Sequence, residues 1–276
     1  MIHIGHYNTL EILRETAPGL FLGDDEYNEI LLPNKYIPQS YEIGEHITVF
    51  CYLDHAERPV ATTLEPYIEL DRFALLKAVE VNNIGAFMDW GLEKHLLVPY
   101  KEQAVKMTQG KWYLIYCYLD EKTGRLVGSS KTNQFINNEE LTVSEKEKVN
   151  LIVSRHTDMG IEVIINQKHK GLVYKDELYE KVSLGQTLTG YVKKIRDDHK
   201  IDVTLKALGK AIITNAAEKI LRELKHHKGF LPLHDKSDPD VIRDVLLMSK
   251  KDFKKGIGTL YKQKLITIKD NGVYLN

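Results

Sequence analysis

The feature that most constrains the fold is a repeat built around the two cysteines of the chain. The tetrapeptide CYLD occurs at residues 51–54 and again at residues 117–120. Two pairs of glycines upstream share the same spacing of 66 residues: Gly19 with Gly85, and Gly44 with Gly110. A repeat of this length is too long for a solenoid unit and suits a small barrel. In a chain of 276 residues it predicts several such units in tandem.

A third copy lies a further 75 residues along, where Gly160 corresponds to Gly85. In this copy Val192 takes the place of Cys51 and Cys117. A position that accepts valine is a core position, so both cysteines are expected to be small buried hydrophobic residues. There is no CxxC or Cys/His spacing, so we predict no disulfide framework, no metal site and no cofactor.

Each unit contains several short alternating strands, which predicts a five-stranded Greek-key barrel of the OB type. The segments GLVYKDEL (171–178), GQTLTGYVKKI (185–195) and HKIDVTLK (199–206) of the third unit resemble S1 RNA-binding domains most closely. The first unit diverges most from that pattern. Three S1-like units followed by a tail are similar to the conserved virulence factor B family of bacterial RNA-binding proteins.

The tail changes from strand to helix periodicity and predicts a winged helix. Asn215 and Glu218 have capping-box spacing, and Gly229 is placed to end the first helix. A second helix begins at Asp238 and a third at Ser249. Their predicted inward residues are Ile242, Val245, Leu246, Phe253, Ile257, Leu260 and Tyr261. A hairpin turn at Asp-Asn-Gly (270–272) completes the motif.

The predicted fold is therefore multidomain and mostly β. Three tandem S1-like (OB-fold) barrels precede a C-terminal α+β winged-helix domain. The predicted domain limits are 1–64 for a divergent S1-like barrel, 65–138 for a second S1-like barrel, 146–208 for an RNA-binding S1-like barrel and 209–276 for the winged helix.

Charge is distributed unevenly along the chain, although the formal net charge is only -1. Residues 1–65 carry 3 Lys and Arg against 11 Asp and Glu, whereas residues 209–276 carry 14 against 8. A polyanion would therefore be attracted to the C-terminal half, and an acidic first unit would suit a basic partner. Lys251, Lys255 and Lys262 share the solvent side of the third helix, where they could face nucleic acid or protein.

The S1 resemblance also assigns site positions. It places Phe21, Phe87 and Glu162 at the second-strand stacking position, and Pro33, Pro99 and Tyr174 at the third-strand position. It pairs an acid with a base in the late turn as Asp54 with Arg58, Asp120 with Arg125, and Asp198 with Lys200. We expect Phe21 to serve in packing. The candidate RNA-binding residues are Phe87, Trp90, Asp120, Arg125, Tyr174, Tyr191, Lys193, Lys194, Arg196 and Lys200.

The sequence predicts a non-catalytic protein that binds single-stranded RNA in post-transcriptional or translational regulation. A protein-interaction scaffold on the ribosome or RNA polymerase is the alternative. A nuclease or a DNA-binding regulator is less favoured, because no HExxH, GxSxG, phosphate-loop or zinc-deaminase motif is present. No signal peptide, membrane span or small-molecule substrate is indicated, which predicts a cytoplasmic protein.

Overall fold

The computed structural model describes residues 1–178, 181–205 and 215–276, with side chains given for all of them except Asp176 and Asn215. The chain divides into two compact units, Met1–Leu205 and Lys206–Asn276. Within the described residues, no helix has the length and apolar character needed to cross a membrane. The predicted domain boundary at 208 and 209 lies outside the described residues, as does the predicted capping role of the Asn215 side chain.

The first unit contains three successive groups of five strands. The first group is β1 (Tyr7–Thr16), β2 (Gly19–Gly23), β3 (Glu29–Pro33), β4 (His46–Leu53) and β5 (Pro59–Thr62). The second is β6 (Phe73–Val81), β7 (Gly85–Asp89), β8 (Leu96–Pro99), β9 (Trp112–Asp120) and β10 (Arg125–Ser129). The third is β11 (Lys148–His156), β12 (Gly160–Ile165), β13 (His169–Tyr174), β14 (Thr187–Ile195) and β15 (Ile201–Thr204).

All three groups have the OB strand order, which confirms the predicted fold class. The first group is a closed barrel of order β1-β2-β3-β5-β4, and the third repeats it as β11-β12-β13-β15-β14. The second group has the equivalent order, but within its described residues β8 and β10 are not joined by a hydrogen-bonded ladder. Its edge strands still lie side by side, since a Cβ added at Gly128 would be 2.8 Å from Val98. We call the three groups barrels 1, 2 and 3.

Strand register confirms the alignment of the repeat. Cys51 pairs with Ala61, Cys117 with Gly128, and Val192 with Val203, each between the fourth and fifth strands of its barrel. The side chains at these three positions are 0% exposed, and both cysteines are free thiols. Burial raises the pKa of Cys51 to about 12 and also raises the pKa of Cys117. The cysteines are therefore core residues, as the third copy predicts.

The glycine that begins each second strand is required by close backbone contact. A Cβ at Gly19, Gly85 or Gly160 would lie only 2.1, 2.4 or 2.0 Å from a carbonyl oxygen of the third strand. Any side chain there would push the two strands apart, so only glycine preserves the pairing. This contact explains why the glycine appears at the same place in every copy.

Hydrophobic contacts join neighbouring barrels within the first unit. Phe50 and Tyr52 of barrel 1 belong to the same buried cluster as Trp90 of barrel 2. A smaller cluster that includes Phe73 and Ile164 connects barrels 2 and 3. Each barrel therefore contributes apolar side chains to a neighbour as well as to its own core.

The second unit is a winged helix. Its elements are α1 (Asn215–His226), β16 (Phe230–Leu231), α2 (Pro239–Leu246), α3 (Lys250–Lys262), β17 (Ile266–Lys269) and β18 (Gly272–Leu275). The three strands form a sheet in the order β16-β18-β17. Ser249 begins α3, and its hydroxyl accepts a hydrogen bond from the Asp252 N–H at 3.1 Å. The predicted helix starts at Asp238 and Ser249 are confirmed, and both residues are N-caps.

Two predicted core residues of the winged helix are exposed. Val245 is 40% exposed and Tyr261 is 57% exposed, whereas their neighbours Leu246 and Leu260 are buried. The assignment of both residues to the core was wrong. Each lies at the edge of the apolar stripe of its helix, and a 3.6-residue period does not show which edge the neighbouring elements cover.

Candidate nucleic-acid interface

Barrel 3 has a cavity on the face of its second and third strands, where OB folds bind oligonucleotides. The volume of the cavity is about 350 Å³. Its lining comes from the loop after β11, from β12 and β13, from β15 and the turn before it, and from the linker between barrels 2 and 3. The lining residues include Asn138, Met159, Glu162, Lys170, Tyr174, Arg196, Lys200 and Asp202. Three predicted site residues, Tyr174, Arg196 and Lys200, are therefore brought together.

A hydrogen-bonded network orients the tyrosine of this cavity. The Arg196 guanidinium donates to both carboxylate oxygens of Asp202, at 2.8 and 3.1 Å. It also donates to the Tyr174 hydroxyl, which in turn donates to Asp202 at 3.4 Å. The bidentate carboxylate raises the pKa of Arg196. The ring of Tyr174 is therefore fixed by its hydroxyl, next to a guanidinium that remains charged.

At the second-strand stacking position barrel 3 has an ion-pair cluster. Glu162 accepts hydrogen bonds from Arg155 at 2.7 and 3.1 Å, and its carboxylate lies 3.1 Å from the Lys170 amine. Burial alone would raise the pKa of Glu162, but the hydrogen bonds from Arg155 and Lys170 outweigh burial and lower that pKa. The charged cluster stands where the S1 pattern has an aromatic residue for base stacking. Among the described residues that line the cavity, Tyr174 is the aromatic one.

The predicted cation run of β14 divides into two parts. Arg196 and Lys200 reach the cavity, and Lys200 forms an ion pair with Asp198 at 2.7 Å. Lys193 instead forms an ion pair with Glu177 at 2.6 Å. Lys194 is exposed and Tyr191 is half-buried, and both lie outside the described lining of the cavity. The structure therefore divides the predicted basic cluster, because Arg196 and Lys200 line the cavity whereas Lys193 is held by Glu177.

The predicted stacking role of Trp90 needs correction. Trp90 is 3% exposed, and its indole N–H donates to the Lys94 carbonyl at 2.5 Å. The rings of Phe50 and Tyr52 form T-shaped contacts with the indole, at centroid distances of 5.9 and 6.3 Å. Trp90 is therefore a packing residue between barrels 1 and 2. Phe87 is half-buried and lines a separate cavity, so it stays a candidate contact residue.

The late-turn pairing also differs in barrel 2. Asp54 and Arg58 form the predicted ion pair at 2.7 Å, but Arg125 forms its ion pair with Glu57 of barrel 1. The Asp120 carboxylate accepts from the Thr123 hydroxyl at 2.9 Å. The prediction that Asp120 pairs with Arg125 was wrong. Arg125 pairs with Glu57, which belongs to barrel 1 and is therefore not visible in the pattern of barrel 2 alone.

In barrel 1 the aromatic ring at the second-strand position is already covered. The Arg14 guanidinium lies 4.4 Å from the centroid of the Phe21 ring and forms an ion pair with Glu29 at 2.6 Å. A base could stack on that face of Phe21 only after this contact broke. This geometry agrees with the packing role expected for Phe21.

The lysines of α3 form a face around a glycine. Lys251, Lys255 and Lys262 are exposed, and on an ideal helix they point within about 40° of one another. Gly258 lies between them on the same side, and a Cβ added there would meet nothing within 4 Å. The helix backbone is therefore open among three cations, as the close approach of a phosphate would require.

Sequence reasoning missed several residues of the barrel 3 cavity. Lys170 alternates with Leu172 and Tyr174 on β13, so strand periodicity could have placed it on the same face as Tyr174. Asn138 could not have been found, because it belongs to the linker after barrel 2. Its amide donates to the carbonyls of Lys170 and His199 at 2.9 and 3.0 Å, which connects β13 to the β14–β15 turn.

The fold and this cavity define a class: a protein of S1-type barrels in series with a winged helix. Comparison with known families agrees with that class. The S1 domain model matches residues 4–64, and the CvfB-like winged helix domain model matches residues 218–275. The S1 match is to barrel 1, which the motif comparison ranked as most divergent, and barrel 1 has the same closed strand order as barrel 3.

The similarity extends along most of the chain. A Bacillus subtilis relative named "Uncharacterized protein YitL" is 30% identical over 94% of this chain and 89% of its own length. Conserved virulence factor B of Staphylococcus epidermidis is 26% identical over 85% of this chain and 81% of its own length. The chain belongs to the conserved virulence factor B family.

A solved structure is also similar. It is described as a multidomain protein with nucleic acid binding domains from Streptococcus pneumoniae, and it is 25% identical to this chain. The alignment covers 99% of this chain and 98% of the other, with a TM-score of 0.41.

Proposed function

We propose that this protein binds single-stranded RNA in the cytoplasm, without catalysing a reaction on it, in post-transcriptional or translational regulation. The observation that carries the proposal is the barrel 3 cavity, where Tyr174 is held beside Arg196 and Lys200. An aromatic ring beside cations suits a splayed base and its phosphate. The lysine face of α3 would add a second, weaker contact, and the two contacts would gain affinity through their linkage.

Single strands are favoured over duplexes by the shape of the site. A cavity of about 350 Å³ admits an individual unstacked base, whereas the bases of a duplex are stacked and paired. The α3 sequence contains no Arg or Asn that could read base edges, so sequence-specific DNA recognition is not favoured. We also propose the domain limits 1–64, 65–138, 146–208 and 209–276, which assign one repeat unit to each barrel and the tail to the winged helix.

Tyr174 provides the test of stacking. Tyr174→Ala should weaken binding of a labelled single-stranded RNA by roughly fivefold or more, because stacking contributes about 1–3 kcal/mol per base. Tyr174→Phe should bind nearly as well as the wild type, since the ring remains and only the hydroxyl contacts with Asp202 and Arg196 are lost. Fluorescence anisotropy at constant salt gives all three dissociation constants.

A matched control comes from barrel 1. Tyr27 is 95% exposed, and Tyr27→Ala should leave RNA affinity unchanged. If Tyr174→Ala binds RNA as the wild type does, stacking at this position is excluded. If Tyr174→Phe loses as much affinity as Tyr174→Ala, the tyrosine acts by positioning Arg196 and not as a stacking platform.

A further inference from the structure

A turn of barrel 1 covers the face of barrel 2 that corresponds to the RNA-binding face of barrel 3. Glu57 of this turn forms an ion pair with Arg125. The Lys94 amine of barrel 2 donates to the Asp54 carbonyl at 2.7 Å, and Glu93 forms an ion pair with Lys35. These contacts hold the barrel 1 turn against barrel 2, and a pocket is enclosed between them.

The turn has a strained backbone at its contact residue. Glu57 has a φ of 65°, in the left-handed region that residues with a Cβ rarely adopt. The equivalent position in barrel 2 is Gly124, with a φ of 66°. Barrel 1 thus has a glutamate where glycine would relieve the strain, and that glutamate provides the ion pair with Arg125. The equivalent residue of barrel 3, His199, has a φ of 58°, so this conformation belongs to the turn itself, and Glu57 is distinguished by the carboxylate that it offers to barrel 2.

The pocket is large enough for a side chain of another molecule, with a volume of about 370 Å³. Its floor is apolar and partly aromatic. The apolar lining includes Tyr52, Leu53, Ile84, Phe87, Leu97 and Leu126. Ile84 is 54% exposed at the rim, so the apolar surface continues to the opening.

The charges around this pocket do not suit a phosphate. Three glutamates line it, Glu57, Glu80 and Glu93. Arg125 is engaged by Glu57, Lys94 by the Asp54 carbonyl and Glu93 by Lys35. Among the described residues, Glu80 is the lining glutamate that forms no ion pair, so the charge it adds is uncompensated. Residues 1–65 as a whole carry 3 cationic against 11 acidic side chains. A phosphodiester chain would be repelled here, whereas a cationic chain would be attracted.

We propose that this pocket, which we call the inter-barrel pocket, is a docking site for a basic segment of a protein partner. An aromatic or aliphatic side chain of that segment inserts between barrels 1 and 2, and flanking Lys or Arg residues meet Glu80 and the acidic surface of barrel 1. This function is separate from RNA binding by barrel 3, so either proposal can fail without the other. The chain would then connect an RNA to a basic protein.

The test uses the full chain and a fluorescein-labelled peptide with one tryptophan flanked by lysines. Ile84→Lys places a cation at the pocket rim. Ile43→Lys is the matched control, because Ile43 is 57% exposed in barrel 1 and lies outside the described lining of the pocket. Both variants add the same charge to the protein, so a difference between their dissociation constants for the peptide is due to the position of the charge at the pocket.

The wild type should bind the basic peptide, and Ile84→Lys should weaken binding by about tenfold or more, because a cation at the rim lies next to the lysines of the bound peptide. Ile43→Lys should change the dissociation constant by less than about twofold, as expected for a charge remote from the site. Phe87→Ala should weaken binding of the peptide, because Phe87 lines the pocket. The proposal is overturned if the wild type does not bind the peptide, or if both lysine variants bind it equally. A loss of RNA affinity in Phe87→Ala equal to that in Tyr174→Ala would make the pocket an RNA site instead.

Discussion

Two glycines of α3, Gly256 and Gly258, should respond oppositely to the same substitution. A Cβ at Gly258 would meet nothing within 4 Å. A Cβ at Gly256 would lie 2.6 Å from the Ile220 Cδ1 atom and 3.2 Å from backbone atoms of Ala216 and Ala217 in α1. Gly256 therefore lets α1 and α3 approach closely, whereas Gly258 contributes nothing to packing.

The magnitudes follow from these contacts. Alanine in place of glycine within a helix gains about 1 kcal/mol, so Gly258→Ala should stabilise the winged helix by that amount. The same gain applies to Gly256→Ala, but overpacking of a tight contact costs about 1–3 kcal/mol. The expected net effect of Gly256→Ala is therefore between about zero and a loss of 2 kcal/mol. For a domain of this size, 1 kcal/mol shifts the Tm by about 4–8 °C.

Thermal unfolding of the full chain, followed in the helical band of the circular dichroism spectrum, isolates this domain. Of the residues described, the α-helical ones all lie between 215 and 262, and both tryptophans, Trp90 and Trp112, lie in barrel 2. Tryptophan fluorescence thus provides an internal control that should not change. If Gly256→Ala raises the Tm as much as Gly258→Ala, the close approach of α1 and α3 is refuted.

Three further predictions concern the barrels. Cys51 and Cys117 should not react with a thiol reagent in the native protein and should both react after denaturation, because burial raises the pKa of each; rapid labelling of the native state would contradict this. Gly160→Ala should cost about 3 kcal/mol or more in urea denaturation, because its Cβ would lie 2.0 Å from a carbonyl oxygen; a loss below about 1 kcal/mol would contradict it. The folded-state pKa of Glu162 is lowered, so its stabilisation is present at neutral pH and is lost as the pH falls through that lowered value. The Tm of the wild type should therefore exceed that of Glu162→Gln at neutral pH and converge with it in acid, whereas a constant difference would show that ionisation of Glu162 is irrelevant.

The sequence predicted the features that repeat within the chain. Cys51, Cys117 and Val192 share one register position, and this equivalence required only the spacing of the copies. The S1 resemblance placed Phe87 on a second strand and Tyr174 on a third strand, which is where the structure has them. Local patterns are sufficient here because alternation and glycine contacts act within one unit.

Contacts between units could not be predicted in this way. Trp90 is buried because barrel 1 packs on it, and Arg125 turns to Glu57 because barrel 1 places a carboxylate there. Both residues were assigned to an RNA site by comparison with an isolated barrel. The Asn138 contacts also arise from a linker that has no counterpart in the S1 pattern. A repeat within the sequence describes each unit by itself, and it does not specify the contacts that one unit makes with the next.

The central claim, that the barrel 3 cavity binds single-stranded RNA, is tested most directly by the salt dependence of binding. Each lost phosphate contact should reduce the slope of log affinity against log salt by about 0.7 for a single strand. Replacing Arg196 and Lys200 by Gln should therefore flatten the slope by up to about 1.4. Replacing Lys193 and Lys194, which lie outside the described lining, should change it little. Equal slopes for the wild type and both double variants, or tighter binding of double-stranded than of single-stranded RNA, would contradict the claim.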